Sequence, residues 1–126
     1  MSNRASVLKL LHQASLWLFW PVMALIVWGE LRPSPPPLIN HMWDKAEHFT
    51  AYFVLAAMAT FALGLGRRLA YSIFGILLLG AVLEVAQRYT GRDPSLLDLI
   101  ANTLGVMAGM SLAAVTVTLV EPPVDE

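Results

Sequence analysis

Side chains able to hold, move or offset charge fall in three short runs of a chain that is otherwise almost wholly apolar: Asp44, Lys45 and His48; Glu84, Gln87 and Arg88; and Arg92, Asp98 and Asn102. Asp44, His48, Glu84 and Asp98 offer acid and base groups for catalysis, and the same carboxylate and imidazole donors suit a hard divalent metal ion. Lys45, Arg88 and Arg92 supply the positive charge that attracts a phosphate or other anionic headgroup, and the amides of Gln87 and Asn102 can orient what binds. An ionisable group inside an apolar span costs a few kcal/mol or more, so such residues mark a functional site by default.

The apolar background sets where this chemistry can take place. Of 126 residues, 57% are hydrophobic and 13% charged, and the mean hydropathy is +0.63, far from the soluble average. This is the composition of an integral membrane protein, and at about 20 residues per span the length accommodates four helices with short connections. The expected fold is all-α, a polytopic membrane protein forming a compact bundle of four transmembrane helices in one domain, residues 1–126. A net charge of −1 and a pI near 6.3 leave no basic surface for nucleic acid. The chain has no cysteine, which excludes disulfides, thiolate catalysis and thiolate-bound zinc, and no histidine-rich or H-E-x-x-H zinc pattern occurs.

The first apolar stretch runs from about Leu10 to Gly29, carries Trp17, Trp20 and Trp28, and holds Pro21 near its middle, where a kink is expected. A basic start (Arg4, Lys9) resembles a signal peptide, but no small-x-small cleavage site lies near Glu30, so it reads as a retained helix. Arg32-Pro33-Ser34-Pro35-Pro36-Pro37 follows, a stiff surface loop with polyproline character. The second span is expected from Asp44 to Leu65, ahead of Gly66-Arg67-Arg68; the third from Leu69 to Arg88, stopped by Gly91; the fourth from Ser95 to Val120, ended by Glu121-Pro122-Pro123. Trp43, Tyr52 and Tyr89 read as interfacial anchors, and His12 and His41 as surface residues.

Helical spacing gathers the polar residues into stripes, since positions three or four apart share a face. Asp44, His48 and Tyr52 align on the second span, Gly80, Glu84 and Gln87 or Arg88 on the third, and Asp98, Asn102, Gly105 and Gly109 on the fourth. Gly105 and Gly109 form a G-x-x-x-G that lets another helix approach closely, so the polar stripe faces the bundle interior. At 1.5 Å per residue, Glu84 and Asn102 lie only about 6 Å deeper than Arg88 and Asp98, which places the pocket at headgroup depth. Structural roles compete for several residues. Asp44 with Glu47, and Ser95 with Asp98, fit capping boxes; Arg88 can complement a helix C-terminus or snorkel; Glu84 can pair with Arg88 or Lys45. Basic residues are equally divided between the two sides, but Arg67 and Arg68 stand apart from any acid, whereas Lys45, Arg88 and Arg92 are interleaved with acids. That contrast puts both termini in the cytoplasm and the polar end outside.

Three separated motifs carry a family resemblance across residues 40 to 110: Asp44-Lys45-x-x-His48-Phe49-x-x-Tyr52, Glu84-x-x-Gln87, and Gly91-Arg92-x-x-Ser95-x-x-Asp98-x-x-x-Asn102-x-x-Gly105. In this the chain resembles the VanZ-like family of small bacterial membrane proteins. The resemblance implies a multi-pass protein of the bacterial cytoplasmic membrane with a role at the cell envelope, and an association with resistance to the lipoglycopeptide teicoplanin. It singles out Asp44, Lys45, His48, Glu84, Gln87, Arg92, Asp98 and Asn102, while the proline-containing turn Arg92-Asp93-Pro94-Ser95 is short for the pattern. Three functions remain open: an outward-facing pocket that binds or processes an anionic envelope lipid or glycoconjugate; a noncatalytic factor that binds an antibiotic or partner protein; and, last in rank, a proton-coupled exporter working as a dimer.

Overall fold

The computed structural model describes residues 3–33 and 41–121. Most of the proline-rich loop, from residue 34 to 40, lies outside the described residues, as does the Pro122-Pro123 stop. Four helices follow in chain order, α1 (Asn3–Leu31), α2 (His41–Leu63), α3 (Arg67–Gln87) and α4 (Leu96–Val120), with a single 3-10 turn at Arg88–Thr90. Each of the four is long and apolar enough to cross a membrane, and no strand occurs among the described residues. The fold is all-α, as expected for a multi-pass membrane protein.

Boundaries depart from the expected ones where local chemistry says they should. α1 starts at Asn3 rather than Leu10, because Arg4 and Lys9 are good helix formers that continue the helix out of the apolar layer. Pro21 lies within α1 without ending it. Gly64, at φ 69°, ends α2 one turn before the Arg67-Arg68 pair, and Gly91, at φ 77°, closes the 3-10 turn after α3; both need the left-handed region that glycine enters freely.

Large apolar side chains cover the outside of all four helices, among them Trp17, Trp20, Phe74, Leu104 and Leu119. A soluble bundle would hide these; here lipid is their solvent. The interior is small. Tyr52, Leu55, Ala56, Ala59, Leu69, Ile76 and Val106 form the buried core, and α2 supplies most of it. The most extensive interface is between α2 and α4, which run parallel. Gly105 stacks against the backbone carbonyl of Phe49, and Gly109 against that of Phe53, so close that a methyl group at either position would overlap α2 main chain. The expected glycine stripe therefore packs on α2, where close van der Waals contact replaces the hydrophobic drive that lipid removes.

Candidate functional site

The glycine contact sets the register of the polar residues. Continuing it one turn toward the N-termini of the two parallel helices brings Lys45 and His48 of α2 level with Asp98 and Asn102 of α4. Lys45 Nζ forms an ion pair with Asp98 Oδ1, and His48 Nδ1 lies 3.0 Å from Asn102 Oδ1. With Asn102 Oδ1 as acceptor, Nδ1 carries the proton, which turns Nε2 toward Asp98 Oδ2 at 3.8 Å and Asp44 Oδ1 at 4.0 Å. His48, Asp98 and Asn102 are buried.

α3 closes the second side. Gly80 faces the Tyr52 ring and the Asn102 amide, at 3.0 Å and 3.1 Å from where its Cβ would stand, so a larger residue would push both out. One turn on, buried Glu84 accepts a hydrogen bond from the backbone N–H of Ser95 through Oε1. Gln87, buried at the end of α3, donates through Nε2 to the carbonyl of Glu30 at 3.1 Å. Arg92 reaches back from the turn: Nη2 donates to Asp44 Oδ1 at 2.6 Å, and Nη1 to the carbonyls of Glu30 at 3.2 Å and Gly29 at 3.4 Å. A helix leaves its last carbonyls without internal donors; Gln87 and Arg92 satisfy those of Gly29 and Glu30 in α1.

Glu30 is the residue that spacing and motif left out. It is buried at the end of α1, where its Oε2 accepts from the Tyr52 hydroxyl at 3.4 Å and its Oε1 lies 3.6 Å from His48 Nδ1. Its signal was available: an acid adjoining the apolar stretch Leu10–Gly29 meets the test applied to Glu84. Tyr52 is likewise no interfacial anchor, being fully buried on the same α2 face as His48. Trp43 and Tyr89 are exposed, as anchors are, and His12 is exposed, with Nδ1 3.0 Å from the Phe61 carbonyl.

Several expectations are corrected. Neither capping box forms: α2 begins at His41, which puts Asp44 inside the first turn, and Ser95 makes no side-chain cap. Asp98 goes to Lys45 instead, Asp44 to Arg92, and Glu47 accepts from the Trp43 indole at 3.0 Å. Glu84 pairs with neither Arg88 nor Lys45. Arg88 falls in the 3-10 turn, exposed, and forms no ion pair among the described residues; it does not join the cluster. Of the proposed metal ligands, Asp44, His48 and Asp98 present ligand atoms within 4.8 Å of one another, whereas Glu84 lies outside this set. Two carboxylates and an imidazole suit a hard divalent ion, but Arg92 and Lys45 already offset the two carboxylates.

Beside the cluster a cleft of about 120 Å³ opens between the end of α1 and the start of α2. Ile26 and Ala51 form its apolar wall, and Glu30, Arg32, Glu47, His48 and Arg92 its polar one. Arg32 lies over the Trp28 ring at 5.9 Å.

Comparison with protein-family models, curated proteins and solved structures returned no match. The likeness to the VanZ-like pattern rests on the motif residues themselves.

Proposed function

We propose that this chain is a VanZ-like membrane protein of the bacterial cell envelope whose polar end binds the phosphate-bearing headgroup of an envelope lipid or related glycoconjugate. The observation that carries the reading is the cleft between α1 and α2, where Arg32 and Arg92 line a shallow recess at the end of the spans. Arg92 spends its Nη1 and Nη2 donors on carbonyls and Asp44, but a guanidinium has five N–H groups, so donors remain for an incoming anion. In this reading both termini are cytoplasmic and the cleft faces outward, where a lipoglycopeptide such as teicoplanin would meet the same headgroup.

Binding is favoured over catalysis. Asp44, Asp98, Glu84 Oε1 and His48 Nδ1 are each already engaged, by Arg92, Lys45, the Ser95 N–H and Asn102 respectively, and a group so held is less free to exchange protons with a substrate. Asp44, His48 and Asp98 remain the set that would hold a divalent ion. The exporter reading draws no support from the other end of the bundle, where the described side-chain hydrogen bonds are those of His12, Thr60, Thr116 and Thr118 to backbone carbonyls.

Native mass spectrometry of the purified protein tests the proposal. A phosphate-bearing lipid should copurify with the parent and be lost from Arg92→Gln, and the same variant should lower teicoplanin resistance in a bacterium expressing the chain. A parent free of lipid, or equal occupancy in Arg92→Gln, would reject it.

A further inference from the structure

The cleft is lined by acids as well as by guanidinium groups, and an anionic ligand does not explain them. Glu30 and Glu47 share the recess with Arg32 and Arg92. Glu30 is the more telling: its side chain is nine-tenths buried, and its Oε1 has no hydrogen-bond partner among the described residues, although its Oε2 and its carbonyl are both engaged. A buried carboxyl oxygen without a donor is costly, and where its residue lines a cleft a ligand can supply the donor. His48 Nδ1, 3.6 Å away, is directed to Asn102 at 3.0 Å. Arg92 touches the backbone of the same residue, its Nη1 donating to the Glu30 carbonyl. The cationic and anionic side chains therefore line one cleft of about 120 Å³, a volume on the scale of one small zwitterion.

We infer that Glu30 forms an ammonium subsite, so that the cleft selects headgroups carrying a primary amine beside the phosphate, of the phosphoethanolamine class; this rests on the phosphate-binding reading above. The phosphate meets Arg32 and the remaining Arg92 donors, and the ammonium donates to Glu30 Oε1, with the exposed Glu47 at the rim. A primary ammonium has three N–H donors, whereas a quaternary one has none, so selection operates against choline as well as against headgroups without an amine. No bond is made or broken.

The test is a titration of the purified full chain, followed by native mass spectrometry, with dioleoyl phosphatidylethanolamine, phosphatidylglycerol and phosphatidylcholine in turn. Phosphatidylethanolamine should bind about tenfold or more tightly than either of the others. Glu30→Gln should remove that preference while leaving phosphatidylglycerol binding intact, and Arg32→Gln should weaken both. Should Glu30→Gln fail to accumulate in the membrane, Glu47→Gln at the exposed rim should reduce the preference by about threefold. Equal binding of phosphatidylethanolamine and phosphatidylglycerol to the parent overturns the ammonium subsite and leaves the phosphate site standing. A preference retained in Glu30→Gln, or unchanged in Glu47→Gln where that variant carries the test, overturns the role of the acids, and one abolished by EDTA assigns the position to a metal ion. Saturable binding of none of the three rejects the phosphate-binding reading itself.

Discussion

Replacing Gly109 by alanine should destabilise this protein, and replacing Gly75 by alanine should not. The two glycines lie in helices of similar character, so their intrinsic helix preference is shared: alanine is favoured over glycine by about 1 kcal/mol. What differs is the space. A Cβ at Gly75 meets nothing within 4 Å, whereas one at Gly109 meets the carbonyl oxygen, carbonyl carbon and Cα of Phe53. Those are main-chain atoms in the middle of α2, unable to rotate away, so the helices themselves must part. Overpacking of this kind costs about 1–3 kcal/mol, and separation also strains Lys45–Asp98 and His48–Asn102, which bridge the same two helices. We expect a net loss of about 1–2 kcal/mol in Gly109→Ala after the gain in helix preference, a 5- to 30-fold change in the folded ratio. Gly109→Leu should lose more. Reversible unfolding in mixed micelles, followed by far-ultraviolet circular dichroism, reads both variants on one scale. If Gly109→Ala proved as stable as Gly75→Ala, the close approach of α2 and α4 would be wrong, and with it the register that brings the polar residues together.

Four further outcomes follow from the same contacts. A double-mutant cycle of Lys45→Met and Asp98→Asn should return a coupling of about 0.5–3 kcal/mol, and additivity of the two would mean the pair is not formed. Tyr52→Phe, which removes only a long hydrogen bond to Glu30, should cost at most about 1 kcal/mol, whereas Tyr52→Ala empties a fully buried site and should cost about 3–5 kcal/mol; similar losses would place the hydroxyl, not the ring, at the centre of packing. Arg92→Ala should destabilise by about 1.5–3 kcal/mol through Asp44 and the α1 carbonyls, while Arg88→Ala, exposed and outside the cluster, should be neutral in the same unfolding assay. Because the chain has no cysteine, Asp93→Cys and Arg68→Cys can be labelled singly in intact cells; modification of the first alone from outside agrees with the proposed orientation, and modification of the second alone reverses it.

The contrast between what spacing revealed and what it missed has a physical basis. The convergence of His48, Glu84, Gln87, Asp98 and Asn102 was legible because the membrane raises the cost of burying each alone, and G-x-x-x-G names the helix face that must turn inward. Apart from the start of α1, which lies seven residues before the expected Leu10, helix ends were legible to within a few residues, since Gly64 and Gly91 do the same work in any surroundings. Tyr52 was misplaced although it completes the series Asp44, His48, Tyr52: a residue-type habit, that tyrosine prefers the interface, displaced a periodicity that already put it inside. Glu30 was missed because an acid at the end of a span ordinarily faces water, and what buries it comes from afar, Tyr52 from α2, Gln87 from α3 and Arg92 from the turn beyond.

The failed capping boxes show which of two physical demands prevails when one side chain could meet either. Capping by Asp98 through Ser95 would contribute about 1 kcal/mol to the start of α4, and the motif for it is intact. Yet Lys45 enters from α2 with its amine beside the α4 N-terminus, half-buried, where an uncompensated charge costs more than an unmade cap. Asp98 turns to the lysine, and the Ser95 N–H is satisfied from a third helix, by Glu84. The start of α4 is thus capped by the bundle rather than by its own sequence. Removing that acceptor with Glu84→Ala should fray the first turn of α4 and raise amide hydrogen exchange at residues 95 to 98, and unchanged protection there would return the cap to Ser95.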